Sequence, residues 1–243
     1  MIEQTLDPVA ALQHAIARSG FVVVPSLAMR ELLTASGSLS DWDRFAASWN
    51  DLHLDTYMAD GGRYRRRRHA VYTAAADGSL VRGPHRAHYQ TLDYNPLHGG
   101  IARWFEPIES AVGEGPTMTT ILRLCRIVFG SVERWDVEVH QFRIEARPDQ
   151  EGRPTPEGIH RDGVDYVLVM LVARQNVVSG TTTIHDSAGR GLGSFTLTDP
   201  FEAVLLNDSQ VWHGVTPVES LDPAKAAYRD VLVVTWKRQA AAP

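Results

Sequence analysis

The chain has 243 residues, 44% of them hydrophobic and 22% charged, and a formal net charge of −5. This is an ordinary globular composition, long enough for a substantial core, and its acidic balance argues against a global attraction to nucleic acid or anionic lipid. The single cysteine, Cys125, excludes an internal disulfide framework and any cysteine-cluster metal site.

In chain order, residues 8–19 carry Val9, Leu12 and Ile16 at helical spacing, with Gly20 as terminator. Residues 21–24 read as a short strand closed by Pro25. Ser26 is placed to cap a second helix through about residue 36, and Ser40 a third through Trp42, Phe45, Ala46 and Trp49. The run Arg65-Arg66-Arg67-Arg68 reads as a solvated face, although Tyr64, His69 and Tyr72 beside it give the patch an aromatic character. After Pro116, Ile121, Leu122, Cys125 and Val128 share one face of a further helix.

The second half changes character. Residues 135–146, 164–173, 180–185, 194–197, 203–206, 211–217 and 229–236 are rich in Val, Ile, Thr and aromatics, and Gly, Pro, Asp and Asn separate them. Short strands of this kind predict a sandwich or barrel such as a jelly roll. Helices first and strands later give an α+β class, with the helices packed on one side of the strand core. One domain over residues 1–243 is expected, helix-rich to about residue 130 with a strand core over about residues 135–237. No basic segment leads into an apolar stretch near the start, and no apolar run approaches the ~20 residues of a membrane span. The expected setting is cytoplasmic, with no membrane and no nucleic acid as partner.

The most informative feature is His160-Arg161-Asp162-Gly163, followed by His213 and then, sixteen residues later, Arg229. On an extended segment His160 and Asp162 project to one face, with Arg161 pointing away. Gly163 permits an unusual backbone angle just after the carboxylate. Two imidazoles and one carboxylate suit iron(II) and leave positions open for substrate and oxygen; zinc or manganese tolerates the same donors. A His-x-Asp tripeptide is common by chance, and it gains weight here from His213 and Arg229 in strand-like sequence. Arg229 offers a guanidinium that grips a carboxylate through paired hydrogen bonds, as the far end of a 2-oxo dicarboxylate would need. His140 reads as a satisfied core histidine or a group behind the metal. Trp212 reads as core or cavity wall, and His185-Asp186 as a strand end and turn.

Several phrases go further. Val139-His140-Gln141-Phe142-Arg143-Ile144, His160-Arg161-Asp162-Gly163, Trp212-His213-Gly214-Val215-Thr216-Pro217 and Tyr228-Arg229-Asp230-Val231-Leu232 resemble the Fe(II)/2-oxoglutarate-dependent dioxygenases. With Arg65–Arg68 and Tyr94-Asn95-Pro96-Leu97-His98-Gly99-Gly100, they are similar to one bacterial branch. That branch includes L-isoleucine 4-hydroxylase-type enzymes acting on free amino acids, and BsmA-like proteins linked to biofilm and stress. The likeness spans roughly residues 20–237. It implies a double-stranded β-helix (jelly-roll) core with flanking helices. It also implies iron(II) held by His160, Asp162 and His213, 2-oxoglutarate held by Arg229, and O2 consumed as succinate and CO2 are released. The substrate would be small, a free amino acid or derivative, with Arg66, Tyr89, Gln90 and Arg143 as candidate contacts. Two rival readings use the same residues: a non-catalytic metal- and 2-oxoglutarate-binding sensor in a stress or biofilm response, and a zinc or manganese hydrolase or isomerase on a cupin-like barrel.

Overall fold

The structure, a computed structural model, describes residues 7–94, 97 and 99–239. Asn95, Pro96 and His98 of the Tyr94–Gly100 phrase, and the tail 240–243, lie outside the described residues. The helices are α1 (Pro8–Ser19), α2 (Ser26–Ser36), α3 (Trp42–Ala47), α4 (Ser110–Gly113) and α5 (Pro116–Phe129). The strands are β1 (Phe21–Val24), β2 (His53–Leu54), β3 (Arg65–Ala75), β4 (Leu80–Arg82), β5 (Arg134–Ala146), β6 (Tyr166–Gln175), β7 (Val177–Ser179), β8 (Thr182–His185), β9 (Gly191–Phe195), β10 (Ala203–Asn207), β11 (Trp212–Val215), β12 (Val218–Ser220) and β13 (Ala227–Arg238).

Local chemistry sets the ends of α1. Pro8 opens it without losing a needed donor, and Gly20, at φ 79°, closes it by donating its N–H to the Ile16 carbonyl at 2.8 Å. Leu12 and Ile16 form its buried stripe. The two serines do not cap as expected. Ser26 is the first residue of α2 and its hydroxyl donates to the Pro200 carbonyl at 2.6 Å, which ties the helix to a distant loop. Asp41 precedes α3, and its carboxylate accepts from the amide and hydroxyl of Thr117 at 2.8 and 2.6 Å, anchoring the start of α5 instead.

One large sheet runs β1-β10-β6-β13-β5-β3-β2, with β4 added on β3, and its pairings are antiparallel. Smaller sheets, β11-β8-β9 and β12-β7, complete the strand core. Alternation along the strands divides the molecule. Leu232, Val234 and Trp236 of β13, with Trp135, Val137 and Val139 of β5, enter one core with Leu12, Met29, Leu33, Phe45, Val112 and Ile121 of the helices. The intervening residues Val231, Val233 and Thr235, with Glu138, His140 and Phe142, line a cavity on the opposite face. The expected α+β jelly roll with helices on one side is therefore present.

The five helices lie within residues 1–130, but that stretch also holds β1 to β4, and the long strand β3 was not foreseen. The eleven residues of β3 pair with β5, one strand in from the β2 edge of the large sheet, and the arginine run forms its first four positions. Arg65 and Arg67 are buried and Arg66 is not, so the run is no solvated face. Burial is possible because Asp55 receives Arg65 at 2.7 Å and lies 3.6 Å from Arg67.

Candidate metal centre and its cavity

His213 lies on β11, and His160 sits directly opposite in an isolated antiparallel bridge. Each donates its backbone N–H to the other's carbonyl at 2.9 Å, so the rings stand side by side with centroids 4.5 Å apart. Asp162 returns to the same face two residues later. Its Oδ1 lies 3.7 Å from His160 Nε2 and its Oδ2 3.6 Å from His213 Nε2. One ligand atom from each of the three falls within 4.8 Å of the others.

Neighbouring groups hold this arrangement. His160 donates Nδ1–H to the Gly158 carbonyl at 3.0 Å, which leaves Nε2 for the shared point. Asp208 accepts from three successive amides, Asp162, Gly163 and Val164, at 3.0, 2.9 and 3.2 Å. Gly163 adopts φ 78°, and a Cβ there would stand 2.5 Å from the Tyr94 ring. Burial pushes the Asp208 carboxyl up, reinforced by the Asp162 charge. Burial acts the same way on Asp162, but the two imidazoles outweigh it and keep its carboxyl low and ionised. Two imidazoles and a carboxylate gathered on one side of a point form a donor set that fits iron(II) and leaves positions open.

Arg229, on β13, lies opposite Ile144 of β5 and Arg174 of β6. It is 2% exposed, and its Nε and Nη2 have no hydrogen-bond partner. Burial, with Arg174 nearby, lowers its pKa to about 10, which still leaves it charged at neutral pH. A buried guanidinium with open donors fits a carboxylate ligand. Arg229 and the three candidate ligands line one cavity of about 330 Å³.

The far wall is also charged. Arg67 lies over the rings of Phe105 and Phe142, 3.6 and 4.4 Å from their centres, and donates to His140 Nδ1 at 2.8 Å. Glu138 accepts from His88 Nδ1 at 2.5 Å and His69 Nε2 at 3.2 Å. Burial alone would raise the Glu138 carboxyl; these hydrogen bonds win and hold it well below its usual range. His69, His88, Glu138 and His140 form a second group close enough to hold a metal. The Arg67 bond, however, makes His140 Nδ1 an acceptor, so Nε2 carries the proton. That protonation, with the short His88–Glu138 contact, is the pattern of a hydrogen-bonded network.

A model of the 2OG-Fe dioxygenase family matches residues 46–235. The chain belongs to that family. The match covers all three candidate ligands and Arg229. This 2OG-Fe dioxygenase is 24% identical over 235 residues to the 3(1)-hydroxy-L-isoleucine 4-dioxygenase of Pantoea ananatis, covering 92% of this chain and 94% of that one. The crystal structure of a bsmA homologue from Methylobium petroleophilum PM1 is similar at 38% identity, with TM-score 0.86 and 96% of each chain covered. That of IDO from Bacillus thuringiensis shares the fold at 19% identity and TM-score 0.76, over 96% of this chain and all of the other. The chain is thus a 2-oxoglutarate-dependent dioxygenase, an enzyme that works with iron(II), 2-oxoglutarate and O2. Among the described residues, no helix is long and apolar enough to cross a membrane.

The substrate candidates of this dioxygenase divide. Tyr89 and Gln90 line the cavity. Arg66 does not: it lies one strand position from the inward Arg65 and Arg67, and pairs with Glu145 at 2.6 Å. Arg143 faces away and donates twice to Asp230 at 2.7 Å, stacked 4.1 Å above the Tyr228 ring. Trp212 is 36% exposed and belongs to neither core nor cavity wall; Arg161 lies near its ring. His185 ends β8, and Asp186 turns back to bond Arg190, as expected of a strand end. Sequence reasoning missed Arg67, His88, Arg103, Glu138, Glu157 and Asp208. The every-second-residue spacing of Arg65, Arg67 and His69 was the available signal for the strand.

Proposed function

We propose that this dioxygenase hydroxylates a free amino acid or close derivative, with His160, Asp162 and His213 holding iron(II) and Arg229 holding the distal carboxylate of 2-oxoglutarate. The observation that carries the ligand assignment is one cavity containing both the three-donor cluster and a buried, unpartnered guanidinium. Amino-acid chemistry is supported by the Pantoea relative, whose name states an isoleucine-derived substrate, and by a cavity wall bearing charges of both signs.

Bound iron supplies the oxidising chemistry, and the chain's residues do the rest. Asp162 and the two imidazole Nε2 atoms present their lone pairs to one point. Gly158 and Asp208 keep those donors aimed. Arg229 orients the co-substrate by its far carboxylate, and the apolar side chains of Val169, Val231 and Val233 keep that end of the cavity dry. We read residues 1–243 as one dioxygenase domain, because the helices cover the back of the same sheet whose front carries the cavity.

Succinate release from iron(II)-loaded enzyme, 2-oxoglutarate and the standard amino acids tests the reading. Turnover with at least one amino acid is expected, and His160→Ala or Asp162→Ala should abolish both succinate and iron binding. Arg229→Ala should weaken 2-oxoglutarate binding about 10- to 100-fold, the scale of one or two charge-assisted hydrogen bonds, while iron affinity holds. Absence of succinate with every amino acid, or unchanged 2-oxoglutarate affinity in the arginine variant, would refute the corresponding assignment.

A further inference from the structure

The roles above leave a second set of charges in the cavity without work. Glu157 lines it with a side chain only 9% exposed; Oε1 stands 3.7 Å from His160 Nε2, and Oε2 is buried with no hydrogen-bond partner. Arg103 is 2% exposed; its Nη2 donates to Gln90 Oε1 at 2.8 Å and its Nε has no partner. Arg67, over the Phe105 and Phe142 rings, also has a buried Nε without a partner. A buried carboxylate and buried guanidinium nitrogens without partners are each costly, and such groups are retained where a ligand completes them. Arg229 is on another strand, β13, so a co-substrate held there leaves Glu157 Oε2 and the Nε atoms of Arg103 and Arg67 unsatisfied.

We propose that Glu157 and Arg103 are the two poles of a subsite for a zwitterionic head group: Glu157 accepts from the substrate's ammonium, and Arg103, backed by Arg67, donates to its carboxylate. This rests on the amino-acid reading of the cavity and sharpens it. The substrate class is the free α-amino acid with both termini unblocked. Nα-acylation removes the cation that Glu157 needs and amidation removes the anion that Arg103 needs, so either derivative leaves a charge buried alone. A neutral substrate of the same shape leaves both unsatisfied.

The test titrates the anaerobic iron(II)- and 2-oxoglutarate-loaded enzyme by calorimetry with the standard L-amino acids, each also as its Nα-acetyl and α-amide form. Wild type should prefer the free form at least about tenfold over either derivative. Glu157→Gln, nearly isosteric, should erase the preference against the acetyl form and keep that against the amide. Arg103→Gln should do the reverse, a crossing that general loss of packing would not produce. Iron(II) affinity is measured alongside. If Glu157→Gln loses iron while still preferring free over acetylated amino acids, Glu157 is a metal ligand and the subsite is overturned. If the preference survives both substitutions with iron affinity intact, the subsite is overturned while the amino-acid reading stands. If wild type binds none of the compounds in any form, both fall together.

Discussion

Asp208 is not one of the three candidate donors, yet three consecutive amides of the His160–Val164 segment, that of Asp162 included, depend on it. Its substitution separates holding a donor in place from being one. Asp208→Ala should weaken iron(II) binding about 10- to 100-fold, the usual scale for a group that orients a ligand; competition against a chelator reads it, and wild-type affinity would refute the role. Asp55 does similar work beneath the arginines of β3. Burial raises its carboxyl, but Arg65 and then Arg67 outweigh that and hold it below its ordinary value. A depressed carboxyl contributes stability above its unfolded pKa and loses it as pH falls through the folded one. Asp55→Asn should therefore destabilise the fold by about 3 kcal/mol at pH 7, because two buried guanidiniums lose their anion. The gap from wild type should shrink as pH falls below about 4. Denaturant unfolding at both pH values checks this, and a gap independent of pH would count against the pair.

At the level of elements, the site depends on how one loop is fastened to β11. His160 belongs to no extended strand; its exchange of two hydrogen bonds with His213, with Thr155 bonded to the amide and carbonyl of Val215, brings it to β11. The turn after Asp162 must then reverse at Gly163, whose positive φ and closeness to Tyr94 leave no room for a Cβ. Gly163→Ala should cost about 1–3 kcal/mol in strain and displace Asp162, lowering both the unfolding midpoint and iron affinity. A variant that keeps iron affinity would show that the turn is not what sets the carboxylate. The strand β3 makes the complementary point: its alternation sends Arg65, Arg67 and His69 toward the cavity side and leaves Arg66 to pair with Glu145.

At the scale of the whole molecule, the cavity joins two sheets. The His213 donor comes from the small sheet and Arg229 from the large one. Co-substrate held at both ends would tie the layers together. Ligand that binds only the folded state, at 100 times its Kd, adds about 2.7 kcal/mol. For a chain of this length that is a rise in Tm of about 5–10 °C. Scanning calorimetry should show one increment with iron(II) and a further one with 2-oxoglutarate, and Arg229→Ala should lose only the second. Retention of both increments by that variant would remove Arg229 from the co-substrate site.

What the chain alone determined was local and periodic: helices α1, α2 and α5, the strands of the second half, the His160-x-Asp162 spacing and the order of His213 and Arg229. Helical and strand spacings are written within a few neighbouring residues, so they are readable without partners. The tertiary structure decided which face each charge occupies. Asp55 and Arg65, His88 and Glu138, and Asp208 and Asp162 meet across strand register and loop closure, and no local spacing encodes that register. Four consecutive arginines look solvated until the pairing of β3 with β5 turns two of them inward onto a buried carboxylate. The charges proposed to select the substrate therefore depend on register, while the three proposed metal donors, His160, Asp162 and His213, are legible from residue type and order alone.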